Sequence, residues 1–153
     1  MGIVHGGLDL NLDWVRIDRN KLDLLDRFLS LAGDSLSTFR YFRNRPTSAI
    51  ENHIVTVLLL ADDHPVAYGH LDPDDSKIWL GIAVVQSAKG LGYGKLMMNY
   101  LIRFATEHKI EKLTLSVDKP NSTAIRLYIK NGFVKVGETE KYEIYEWLNE
   151  NRG

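Results

Sequence analysis

No stretch limits the fold of this chain as much as Lys89-Gly90-Leu91-Gly92-Tyr93-Gly94-Lys95. Glycine takes every second position, and a lysine stands at each end. A β-branched, apolar run from Lys77 to Val85 precedes it, and a helical pattern starts at about Gly92. On their own the glycines need only make a tight turn. Between a strand and a helix start they build an anion site. Glycine lets the backbone approach a phosphate, and the helix N-terminus offers unpaired N–H groups and a positive dipole end. The Walker pattern is absent, and the glycine spacing and central position do not fit a dinucleotide fingerprint.

The remaining pattern predicts an α/β (α+β) fold in one domain, residues 1–153. Leu12 to Ile17 reads as a first strand, and apolar residues at helical spacing from Asn20 predict a helix that Gly33 stops. A second short helix is predicted from Asp34, with Asp34 or Ser35 as its cap and Pro46 as its stop. His53–Leu60, Val66–Leu71 and Lys77–Val85 form an antiparallel meander whose turns are 61–65 and 72–76. The helix after the glycines buries Leu96, Met97, Tyr100, Leu101, Phe104 and Ala105. Leu113–Asp118 alternates as a half-buried strand, Ser122–Lys130 is helical, and strands starting at Phe133 and spanning Tyr142–Trp147 close the chain. The order β-α-α-β-β-β-α-β-α-β-β gives a mixed, mostly antiparallel central sheet flanked by helices.

Composition narrows the function classes. The chain has 153 residues and a net charge of −1, so no basic field marks it for nucleic acid or a membrane surface. It has no cysteine, which removes thiol nucleophiles and fits a cytoplasmic setting. The N-terminus lacks the pattern of a signal peptide. The five histidines are scattered, and no metal site is predicted.

Two segments together resemble the GCN5-related N-acetyltransferase (GNAT) family, which moves an acetyl group from acetyl-CoA to an amine. The first is Ala83-Val84-Val85-Gln86-Ser87-Ala88-Lys89-Gly90-Leu91-Gly92-Tyr93-Gly94, with Lys89 where the family usually has Arg or Gln. Lysine keeps the charge but loses the planar fork that binds phosphate bidentately. The second is the complete pattern Asn121, Ala124, Leu127, Tyr128, Gly132, Phe133.

The resemblance implies a single GNAT-like domain that binds acetyl-CoA. Lys89, Gly90, Leu91, Gly92, Tyr93, Gly94 and Lys95 would receive the pyrophosphate. Ile82, Ala83 and Val84 would pair with pantetheine in a splay beside Leu113–Asp118, helped by Asn121, which is also a candidate helix cap. The N–H near Val84 would polarise the acetyl carbonyl. Tyr128 is the implied general acid. No acid lies in Lys77–Val85, so the candidate bases are His70 and Asp72, with a water chain that needs no dedicated base as the alternative. Arg40, Tyr41 and Arg43 are candidate acceptor-binding residues, suited to the phosphate of a nucleotide-linked amino sugar. The expected activity is direct acetyl transfer to a small-molecule amine. The alternatives are acetylation of a protein or peptide amine, or a non-catalytic acyl-CoA-binding module. Partners expected are acetyl-CoA and the amine, with a second copy of the chain as the candidate protein partner.

Overall fold

The computed structural model describes residues 2–5 and 8–150, with side-chain surroundings from residue 10 onward. Its elements in order are β1 (Gly2–His5), β2 (Leu8–Arg16), α1 (Leu22–Leu31), β3 (Val55–Ala61), β4 (His64–Asp74), β5 (Lys77–Val84), α2 (Tyr93–Glu107), β6 (Lys112–Asp118), α3 (Ser122–Lys130), β7 (Val134–Glu138) and β8 (Tyr142–Leu148). Among the described residues these strands form one eight-stranded sheet in the order β1-β2-β3-β4-β5-β6-β8-β7. Neighbouring strands run antiparallel except β5 and β6, which run parallel.

Every residue of β3 is buried, as its unbroken apolar run requires for a strand covered on both faces. The α2 residues Met97, Met98, Leu101 and Ala105 are fully buried, and on α1 so are Leu25 and Phe28. Burying each large side chain of this kind contributes roughly 1.5–3 kcal/mol. Leu96 and Tyr100, also expected in the core, are only half-buried at its rim. Among the described residues, no helix is long and apolar enough to cross a membrane.

The structure corrects three expectations. The helix predicted from Asp34 to Pro46 is instead one 3-10 turn, Gly33–Ser37, followed by irregular chain. Side chains there bond to the backbone and compete with helix propagation: Ser37 Oγ donates to Asp34 O, Thr38 Oγ1 to Ser35 O, and Arg40 to Ser37 O. Ser35 does not cap this turn; its hydroxyl donates to Val84 O. Second, the turn expected at 72–76 shrinks to Asp75 and Ser76, so Asp72 stands on strand β4 opposite Trp79. Third, the first strand is longer than Leu12–Ile17 and pairs with an additional strand, β1.

Candidate functional site

The glycine loop connects β5 to α2. Gly90 and Gly92 have φ of 82° and 89°, and a Cβ on either would point into open space. Only glycine takes this backbone without strain, and the loop keeps its concave side clear. The first α2 hydrogen bond to its N-cap is Leu96 N to Gly92 O, and the amides of Tyr93, Gly94 and Lys95 at the helix start have no partner among the described residues. Lys89 and Lys95 flank these amides. This set of donors fits a diphosphate. Leu91, also a candidate, does not line the groove; its side chain is 58% exposed.

The cleft continues along β5. Val85 N donates to Val66 O, and Ala83 pairs with Tyr68. Strand alternation then turns the N–H and C=O of Ile82 and Val84 away from β4, toward β6. The β5–β6 register holds one pair, Trp79 with Thr114. Beyond it the strands part, as the expected splay requires. One of the groups turned into the gap is taken, since Val84 O accepts from Ser35 Oγ. The amides of Ile82 and Val84 remain on the cleft side.

This groove has a volume of about 650 Å³, and α3 forms its far wall with Asn121, Leu127 and Tyr128. Asn121 caps α3, its Oδ1 accepting from Ala124 N at 3.3 Å. Tyr128 is 9% exposed, and its hydroxyl has no hydrogen-bond partner among the described residues. Burial pushes its pKa up to about 12. It therefore keeps its proton at neutral pH.

A second cleft, of about 870 Å³, meets the groove at Thr38 and Phe39. His70, Asp72, Trp79, Tyr41 and Arg45 line it. The irregular segment after α1 separates the two clefts and is anchored on both sides of the splay. Ser35 holds Val84 on β5. Arg40 grips Asp118 on β6 through two bonds, Nη1 to Oδ2 at 3.1 Å and Nη2 to Oδ1 at 3.0 Å. The guanidinium holds the Asp118 carboxyl below its ordinary pKa.

Inside the second cleft Tyr41 OH lies 2.9 Å from Asp72 Oδ2 and 2.7 Å from His53 Nε2, and His53 Nδ1 lies 2.7 Å from Thr56 Oγ1. His70 is 3% exposed, with Nδ1 2.6 Å from the Tyr68 hydroxyl. A Cβ on Gly81, the β5 partner of His70, would fall 2.5 Å from His70 Nε2, so the imidazole lies against this position and needs glycine there. Burial pushes the pKa of His70 well down, with neighbouring His53 adding to the effect, and burial also lowers that of His53.

The candidate residues read from the sequence thus divide. Ile82, Ala83, Val84, Lys89, Gly90, Gly92, Tyr93, Gly94, Lys95, Asn121 and Tyr128 come together along one groove. His70, Asp72 and Tyr41 meet in the second cleft, and Arg40 reaches its edge already paired with Asp118. Arg43 does not join them; it lines a third hollow beside Lys141 and Tyr142. The candidate set left out Arg45, whose Cζ lies 4.3 Å over the Tyr41 ring, as well as Ser35 and His53. A hint was present in Thr56, a polar residue inside the apolar run Val55–Ala61, since a buried hydroxyl needs a partner.

Residues 22–133 match the model of the Acetyltransferase (GNAT) family. A 5-NmdU N-acetyltransferase of Pseudomonas phage PaMx11 is 41% identical over 58 residues, which are 38% of this chain and 39% of that protein. The match thus spans about two fifths of that relative's length. Among solved structures, the ribosomal-protein-S18-alanine N-acetyltransferase of Escherichia coli aligns over 91% of this chain and 94% of its own, with a TM-score of 0.70 and 18% identity. The paia N-acetyltransferase of Thermoplasma acidophilum, in complex with coenzyme A, aligns over 90% and 99%, with a TM-score of 0.70 and 14% identity. At such identities these two establish the shared fold.

Proposed function

The chain belongs to the acetyltransferase (GNAT) family, and from that membership we propose that it transfers an acetyl group from acetyl-CoA directly to the primary amine of a small molecule. This function rests on one run of geometry. The free amides at the start of α2 lead without interruption to the strand amides of Ile82 and Val84, and then to the Tyr128 hydroxyl. The loop amides would hold the diphosphate and the β5 edge the pantetheine arm, with Asn121 beside it. The Val84 amide is placed to polarise the acetyl carbonyl.

The acceptor nitrogen bonds to the acetyl carbon and the carbon–sulfur bond breaks. Tyr128 gives its proton to the departing sulfur, and a base takes one from the nitrogen. Of the two candidate bases, the geometry favours Asp72, which is half-buried and lines the second cleft. His70 is enclosed by Phe39, Tyr41, His53 and Tyr68, and serves as a neutral wall. The name of the phage relative supports an amine carried on a nucleotide as the acceptor class. Arg45 and Arg40 are the cations at the acceptor cleft.

Acetyl-CoA should raise the melting temperature of the purified protein. Thiol release should follow with an amine from a panel of nucleotide-linked amines, amino sugars, polyamines and peptides. Tyr128→Phe should lower kcat about 100-fold and leave acetyl-CoA affinity unchanged. Absence of acetyl-CoA binding, or full turnover by Tyr128→Phe, would defeat the proposal.

A further inference from the structure

A line of polar side chains leads from the buried Thr56 to Asp72 in the second cleft, and acetyl transfer as described uses only its last member, the carboxylate. Thr56, His53, Tyr41 and Asp72 are joined by three contacts of 2.7, 2.7 and 2.9 Å. Valence fixes the direction of every proton. A carboxylate only accepts, so the single tyrosyl proton goes to Asp72. The tyrosyl oxygen then accepts from His53, which puts the imidazole proton on Nε2. Nδ1 of the neutral ring is left as an acceptor for the Thr56 hydroxyl. All protons point toward Asp72. The line therefore cannot drain a proton from that carboxylate, but it can hold the carboxylate still.

Tyr41 is the one side chain hydrogen-bonded to Asp72 among the described residues. Tyr41 itself is packed on several sides: its ring centroid lies 4.8 Å from Phe42, 5.3 Å from His53 and 4.5 Å from His70, with Arg45 over its face. The titratable and charged groups that face His53 are Tyr41, Asp72, His70 and Arg45. Asp74, paired with Lys77 across the hairpin, follows Asp72 on the same side of β4.

We propose that His53 is a positioning residue which, through Tyr41, fixes the Asp72 carboxylate in the orientation that receives the acceptor amine. This rests on the assignment of Asp72 as the base. The role is separate from packing, because it depends on one ring tautomer and one hydroxyl.

Long-range proton–nitrogen NMR of histidine-labelled protein reads the tautomer with no acceptor present. His53 should carry its proton on Nε2, and in Tyr41→Phe it should switch to Nδ1, where Thr56 can accept. A wild-type ring protonated on Nδ1 would overturn the proposal. The kinetic arm uses glucosamine or spermidine, whichever releases thiol faster. His53→Ala and Tyr41→Phe should each lower kcat about tenfold while the KM for acetyl-CoA stays constant. His53→Gln keeps an N–H near the Nε2 position and should restore most of the rate. If Asp72→Asn loses turnover while His53→Ala and Tyr41→Phe keep wild-type kcat, the positioning role is wrong and the base assignment stands. If Asp72→Asn keeps wild-type kcat, the base assignment fails and the positioning role fails with it. Should His53→Ala lose its acetyl-CoA thermal shift through misfolding, Tyr41→Phe and His53→Gln decide the matter.

Discussion

The groove and the second cleft share Thr38 and Phe39, yet they are built from different material. The groove is mostly main chain: amides of α2, amides of β5, and glycines that keep side chains out of the way. The cleft is side chain: a tyrosine, two histidines, a carboxylate and an arginine stacked on a ring. Main-chain donors suit a ligand whose diphosphate and amide groups never vary. Side chains suit a partner that must be told apart from others. On the proposed function, selectivity would therefore belong to the cleft, and the groove would supply generic grip.

Three experiments press on that division. The largest effect is expected at Gly92→Val. A β-branched residue at a φ of 89° is strained by about 1–3 kcal/mol, and its side chain enters the space the amides need kept open. Calorimetry should show acetyl-CoA affinity weakened by about 100-fold, while Leu91→Ala, one residue away and exposed, leaves it unchanged. Equal losses in both would mean that side chains make the groove after all. A smaller effect belongs to the Arg40–Asp118 bridge. Arg40→Ala should raise the acceptor KM by about fivefold without altering acetyl-CoA affinity, and Asp118→Ala should match it. The double variant should be no worse than either single one, as for two ends of one contact. Because the pair is partly exposed, melting should change by no more than about 1 kcal/mol.

The smallest effect is in stability against pH. The folded pKa values of His70 and His53 lie below the ordinary value of about 6.5 that applies when unfolded. The unfolded chain therefore binds more protons once pH falls below that value. The stability these rings confer is present above it and is lost on acidification. Differential scanning calorimetry between pH 7 and pH 5 should show a melting temperature falling by a few degrees, less steeply in His53→Gln. No change in slope would mean that the cleft rings are not held neutral.

The same division explains what could be read from the sequence. The groove was legible because main-chain chemistry is local: glycines between a strand and a helix, and an asparagine cap ahead of Ala124, need only their neighbours. The strand order near the site followed from turns and apolar runs for the same reason. The segment after α1 was misread because its aromatic and basic residues suggested a helical face, whereas Ser37, Thr38 and Arg40 spend their donors on nearby carbonyls. Arg43 shares a face with Arg40 only on the expected helix; on the irregular chain it is Arg45 that lines the cleft with Tyr41. The polar line in the cleft was out of reach, since its members lie at 41, 53, 56 and 72. They meet only because β3 pairs with β4 in a register that sets Thr56 beside His70.

The single pair joining β5 to β6 carries a mechanical meaning too. The sheet is in effect two panels sewn with one stitch, and the strap from Ser35 to Arg40 is the buckle across the seam. A pantetheine arm docked along the open edge of β5, as proposed, would supply the missing rungs. On the proposed function, filling the groove and completing the sheet across this seam would be the same event.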